Sequence, residues 1–147
     1  MDVDHLLNER RIRREPISEA EVRQVLDRAE RDLRTAEQVM EIDVDWGFAV
    51  AYNAVLQASR AYMFAHGFRP SSRESHKNVF AFMRIAVGDK HKDLITYFDR
   101  MRTKRHSAVY DTVGLITETE ASNLLARARK YVKMIRREIA GRSRRRT

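Results

Sequence analysis

At 147 residues, 43% of them hydrophobic and 34% charged, the chain has room for one domain whose core needs no covalent staples. The absence of Cys excludes disulfides, thiol catalysis and thiolate metal sites, and it fits a reducing compartment, with cytoplasm as the expectation. A net charge of +8 favours polyanionic partners, because Lys and Arg that neutralise phosphates release counterions; a merely solvated basic surface is the competing reading.

Five Gly and two Pro leave long uninterrupted stretches, a composition that helices tolerate and turn-rich β folds do not. The expected fold is all-α. No apolar run suits export or membrane crossing, so neither secretion nor membrane insertion is expected.

Residues 1–17 read as a charged N-terminal arm that has room for a short helix. Ser18 followed by Glu21 has capping-box spacing, and from there Val22, Val25, Leu26, Ala29, Leu33, Ala36, Val39 and Met40 form an apolar stripe. Asp43 or Asp45 caps a second, Ala-rich helix running to about His66; its apolar positions go almost all round, which marks it as central. Trp46 is expected to anchor its start, and Gly67 to stop it in a left-handed conformation before Pro70.

A shorter helix spans about Ser75 to Val87, and a fourth runs from near Lys90 to the break at Thr112-Val113-Gly114. Thr117 with Glu120 is a second capping box; it opens a helix reaching about Ala140. The tail, 141–147, is an Arg-rich like-charge block expected to be flexible, making nonspecific nucleic-acid contact or none. Residues 18–140 thus form an up-and-down bundle of four main helices plus one shorter helix.

The stretch Asp99-Arg-Met-Arg-Thr-Lys-Arg-His-Ser-Ala-Val-Tyr-Asp111 crowds cations and a His into an amphipathic helix. At about 100° per residue, Asp99, Arg102, Thr103, His106 and Tyr110 share a polar face, while Arg105 projects into the apolar stripe between Met101 and Ala108. An anion or nearby carboxylates would relieve the repulsion among these cations. Solvated charges with Asp–Arg bridges are the plain alternative. His76, opening its helix after the Ser-rich loop, either faces a cleft or caps and is solvated, the second being the plainer reading, and the aromatics Tyr52, Tyr62, Phe64, Phe80, Phe82, Tyr97 and Phe98 read as core and dimer seam. No zinc-type spacing, Gly-rich phosphate loop or Gly-x-Ser-x-Gly elbow occurs, so no metal or cofactor is expected.

An Arg and a His with five residues between them, Arg100 and His106, resemble the HEPN superfamily motif. The Ala-rich helix from Asp45-Trp46, the Gly67 to Pro70 turn, His76 and the Asp99 to Asp111 block extend that resemblance over most of the chain. It implies a homodimer in which the Arg/His pairs of two protomers meet in a basic cleft. In active members of the family this is a metal-independent endoribonuclease of toxin or defence type. Other members are noncatalytic modules that bind RNA or a separately encoded antitoxin or nucleotidyltransferase. Two positions depart from the family pattern: Met101 follows the Arg where a small polar residue is common, and Tyr110 follows the His by four residues rather than two.

On this reading Arg100 and His106 are the candidate catalytic pair, with Asp99, Arg102, Arg105 and Tyr110 supporting or RNA-binding. An imidazole moves protons near neutral pH, and forked guanidinium donors stabilise phosphate charge; either Arg100 or Arg102 can be the principal phosphate ligand. In a straight helix Arg100 and His106 lie ~120° and ~9 Å apart, so their cooperation needs a bend or the second protomer.

Overall fold

The computed structural model describes residues 1–111 and 114–146, with side chains as far as Ser143. Thr112 and Val113, part of the expected break, and Thr147 lie outside the described residues. So do the side chains of Arg144, Arg145 and Arg146.

In chain order come α1 (Val3–Asn8), β1 (Ile12–Arg14), α2 (Glu19–Met40), α3 (Val44–Ala65), β2 (Phe68–Pro70), α4 (Ser75–Ala86), a 3-10 turn (Asp89–His91), α5 (Lys92–Tyr110) and α6 (Glu118–Arg146). The all-α bundle expected from the sequence is what forms: α2, α3, α5 and α6 are the main helices, and α4 is the shorter one. No helix among the described residues is long and apolar enough to cross a membrane.

Local chemistry sets the helix starts. The Ser18 side chain accepts from the Glu21 N–H (3.1 Å), but the Glu21 carboxylate turns to the Arg69 guanidinium (2.7 Å) rather than back to the cap, so only half of that capping box closes. At α6 the exchange is reciprocal. Thr117 Oγ1 accepts from the Glu120 N–H (3.1 Å), while Glu120 Oε1 accepts from the Thr117 N–H (3.3 Å). Asp43, not Asp45, caps α3, accepting from the Trp46 N–H (3.1 Å); Asp45 instead accepts from the Gly114 N–H (2.9 Å).

Helix α3 is the core of the bundle. Phe48, Ala51, Tyr52, Val55, Ala58, Ala61 and Met63 are all buried, and the helix packs against α2, α4, α5 and α6. On the facing helices Phe98 of α5 meets Tyr131 of α6, ring centroids 4.9 Å apart and planes tilted by 60°, a geometry worth ~0.5–1.5 kcal/mol beyond area burial. Ser59 Oγ donates to the Val55 carbonyl (2.8 Å) and lies 2.7 Å from the Tyr131 hydroxyl; since its one proton is spent, Tyr131 is the donor between them.

Three expectations need correction. Residues 1–17 carry the possible short helix, α1, but are not separate from the bundle: Leu6 and Ile12 are buried in the core, and β1 pairs antiparallel with β2 in the register Ile12↔Pro70, Arg13↔Arg69, Arg14↔Phe68. Runs of three residues carry no readable period, and their partner lies more than fifty positions away. Trp46 is 56% exposed and anchors nothing in the core. The close approach of α2 to α3 occurs one residue later, where a Cβ on Gly47 would lie 2.7 Å from Met40 Cα, so Trp46 turns outward. The last helix does not stop at Ala140 but continues to Arg146. Gly141 offers no left-handed stop, arginines are good helix formers, and Arg142 Nε donates to the Ala65 carbonyl (3.1 Å). Gly67, by contrast, has φ 81°, the left-handed stop expected there.

Candidate functional site

The arm matters because it holds the loop that leads into α4. Arg11 accepts from the Ser71 N–H (2.9 Å) through its carbonyl and donates from Nε to Asn78 Oδ1 (2.8 Å), while Asn78 Nδ2 donates to the Arg73 carbonyl (3.0 Å). Glu74, the residue before α4, sits in the left-handed region at φ 53°, ψ 40°, which costs a non-glycine roughly 1 kcal/mol. This loop and the first turn of α4 are thereby set opposite the middle of α5.

Between them lies an open cleft of ≈ 560 Å³. Ser72, Glu74, Ser75, His76 and Lys77 form one wall; Arg102, Thr103, Arg105, His106 and Ser107 form the other. Four of the sequence-derived candidates are accounted for around it. His106 is exposed at the cleft, with the ring of Tyr110, one turn on and 66% exposed, 4.9 Å away between centroids. Arg102 faces the cleft with Nε 2.9 Å from Asp99 Oδ1, an i,i+3 pair. Arg105 points inward: its guanidinium lies 5.8 Å from the Tyr52 ring centre, and its buried Nε has no hydrogen-bond partner among the described residues.

Asp99 and Arg100 do not line this cleft. Asp99 reaches it through Arg102, and Arg100 is exposed at another angle of α5, so the single chain does not bring Arg100 and His106 together in a shared pocket. Of the two arginines left open by the sequence, Arg102 is the one that shares the cleft with His106.

His76 and Tyr52 were not among the candidate site residues, although His76 could be placed at a cleft from the sequence; their pairing was not foreseen. His76 Nδ1 shares a 3.2 Å hydrogen bond with the Tyr52 hydroxyl, and the rings lie 5.9 Å apart. Burial, then the Arg105, Arg102 and Arg60 guanidiniums, hold the His76 pKa below the ordinary histidine value. Burial pushes the Tyr52 hydroxyl up, outweighing the opposing pull of Arg102 and Arg105. At neutral pH this pair is therefore an uncharged imidazole beside an uncharged phenol, next to clustered cations. The signals in the sequence were a His at the start of an amphipathic helix, where many histidines are simply solvated, and the part of His76 in the family resemblance.

Among the described residues no group of His, Asp and Glu is placed to hold a metal ion. The fold and cleft define a small helical-bundle protein with a cation-lined surface site carrying two imidazoles. Comparison with family models matches residues 22–138 to the HEPN domain, and the chain belongs to that family. The matched span contains every residue lining the cleft. Comparisons with curated proteins and with solved structures return no match.

Proposed function

We propose that the cleft binds the backbone of an RNA strand and cleaves it without a metal, the chain acting as a homodimeric endoribonuclease of toxin or defence type. The observation that carries this reading is the convergence of His106, His76, Arg102, Arg105 and Lys77 on one open cleft.

The chemistry needs two proton transfers. A base removes the proton of a ribose 2′-hydroxyl, the 2′-oxygen bonds to phosphorus, the bond from phosphorus to the 5′-oxygen breaks, and an acid delivers a proton to that leaving oxygen. Two imidazoles on facing walls supply a base and an acid, and Arg102 and Arg105 stabilise charge on the phosphoryl oxygens. A second copy brought against α5 would add its own Arg100 to the site. An antitoxin or nucleotidyltransferase partner would act by covering the same face.

Incubation of the purified chain with RNA in the presence of a chelator should yield fragments ending in 2′,3′-cyclic phosphate. His106→Ala should abolish them with the helical fold intact; cleavage that persists in that variant sinks the assignment. A noncatalytic RNA-binding HEPN module is the second reading, favoured by the exposed placement of Arg100 away from His106 within one protomer. Salt-sensitive binding with no product would select it.

A further inference from the structure

His76 also forms part of a second groove. Ser72, Ser75 and His76 wall both the cleft described above and an adjoining groove of ≈ 350 Å³, whose opposite side carries Arg13 of β1, Arg60 of α3 and Arg69 of β2. The two hollows thus adjoin at His76.

The three arginines of the second groove are not equivalent. Arg69 is committed: it pairs with both Glu15 and Glu21 and lies over the Phe64 ring at 4.6 Å. Among the described residues Arg13 has a loose contact with Glu15 (3.6 Å) and a long bond to the Pro70 carbonyl (3.4 Å). Arg60 has no carboxylate partner among the described residues; its Nη1 donates to the neutral Gln57 Oε1 (3.1 Å). Burial, and then Arg69 and Arg28, hold its pKa below the usual arginine value, with Glu21 opposing. A half-buried cation pressed by other cations and facing a groove is a site that gains from an arriving anion.

We propose that the groove of Arg13 and Arg60 is a second phosphate subsite, filled by the nucleotides adjoining those in the His106 cleft, so that the ligand is one continuous single strand crossing His76. The inference rests on the RNA reading of the cleft. It makes β1, which lies outside the matched HEPN span, part of the binding surface.

The test uses the full chain and 2′-O-methyl oligouridylates, which lack the attacking hydroxyl and cannot be cleaved. Binding is followed by fluorescence anisotropy across a salt titration for a dinucleotide and an octanucleotide. Arg60→Gln should weaken octanucleotide binding about tenfold at low salt, lower the slope of log affinity against log salt by about 0.7, and leave the dinucleotide unchanged. Arg60→Lys should restore the slope, and Arg13→Gln reads the same subsite should Arg60→Gln fail to fold. Octanucleotide binding that responds to Arg102→Gln but not to Arg60→Gln or Arg13→Gln overturns the subsite and leaves the cleft standing. Equal losses for both oligonucleotides in Arg60→Gln also overturn it. A wild-type chain that binds neither oligonucleotide removes the parent reading as well.

Discussion

Arg105 offers a direct test of whether the cations of α5 serve the fold or the cleft. Its Nε is buried without a hydrogen-bond partner among the described residues, and its guanidinium lies 5.8 Å from the Tyr52 ring centre. A buried donor left unpaired costs ~1–3 kcal/mol, whereas the cation–π contact returns ~0.5–1 kcal/mol. Arg105→Met keeps a comparable stem against Tyr52 while removing both terms, so the net expectation is a gain of up to about 2.5 kcal/mol. In a chain of this size that corresponds to a rise in Tm of up to about 10 °C, read by circular dichroism at neutral pH. The same substitution should lower octanucleotide affinity and reduce the salt slope by about 0.7. A variant that is more stable and binds less well is the signature of a residue kept for its ligand. A lower Tm, or unaltered affinity, would refute the reasoning, since Arg105 would then be supporting the helix packing.

Other outcomes follow from the same geometry. Because the folded His76 pKa lies below its unfolded value, the folded state binds fewer protons. Its contribution to stability is fully present above the unfolded pKa of about 6.5 and is lost as pH falls through the folded value. Urea unfolding between mildly alkaline and mildly acidic pH should therefore show His76→Gln losing less stability on acidification than wild type; parallel curves would contradict this. Glu74→Gly should gain about 1 kcal/mol by relieving the left-handed backbone, and it should tighten oligonucleotide binding by removing a carboxylate from the cleft; a loss of stability would show that the side chain matters more than the strain. Ser59→Ala, which leaves the buried Tyr131 hydroxyl without its acceptor, should cost ~1–3 kcal/mol, more than the ~1 kcal/mol of Tyr131→Phe, with the double variant no worse than Ser59→Ala alone; additive losses would show that the two hydroxyls are not coupled.

What the sequence determined by itself is whatever rests on neighbours within a turn or two. The stripes of α2 and α6, the caps at Ser18 and Thr117, the left-handed Gly67 and the inward direction of Arg105 all depend on helical period and short-range hydrogen bonds, so they could be read before any fold existed. The concentration of Arg and His on α5 was legible for the same reason. Which of those residues share a cleft was not, because that depends on what packs against α5. Only tertiary structure decided that β1 pairs with β2 and so holds the 71–74 loop, that α4 brings His76 beside Tyr52 and Arg105, and that Arg102 rather than Arg100 lies across from it. It also turned Trp46 outward, because the close approach of two helices fell on Gly47, and it carried α6 past Ala140, where Arg142 met the end of α3. Those contacts join positions up to 77 residues apart, and no local period records a partner at that separation.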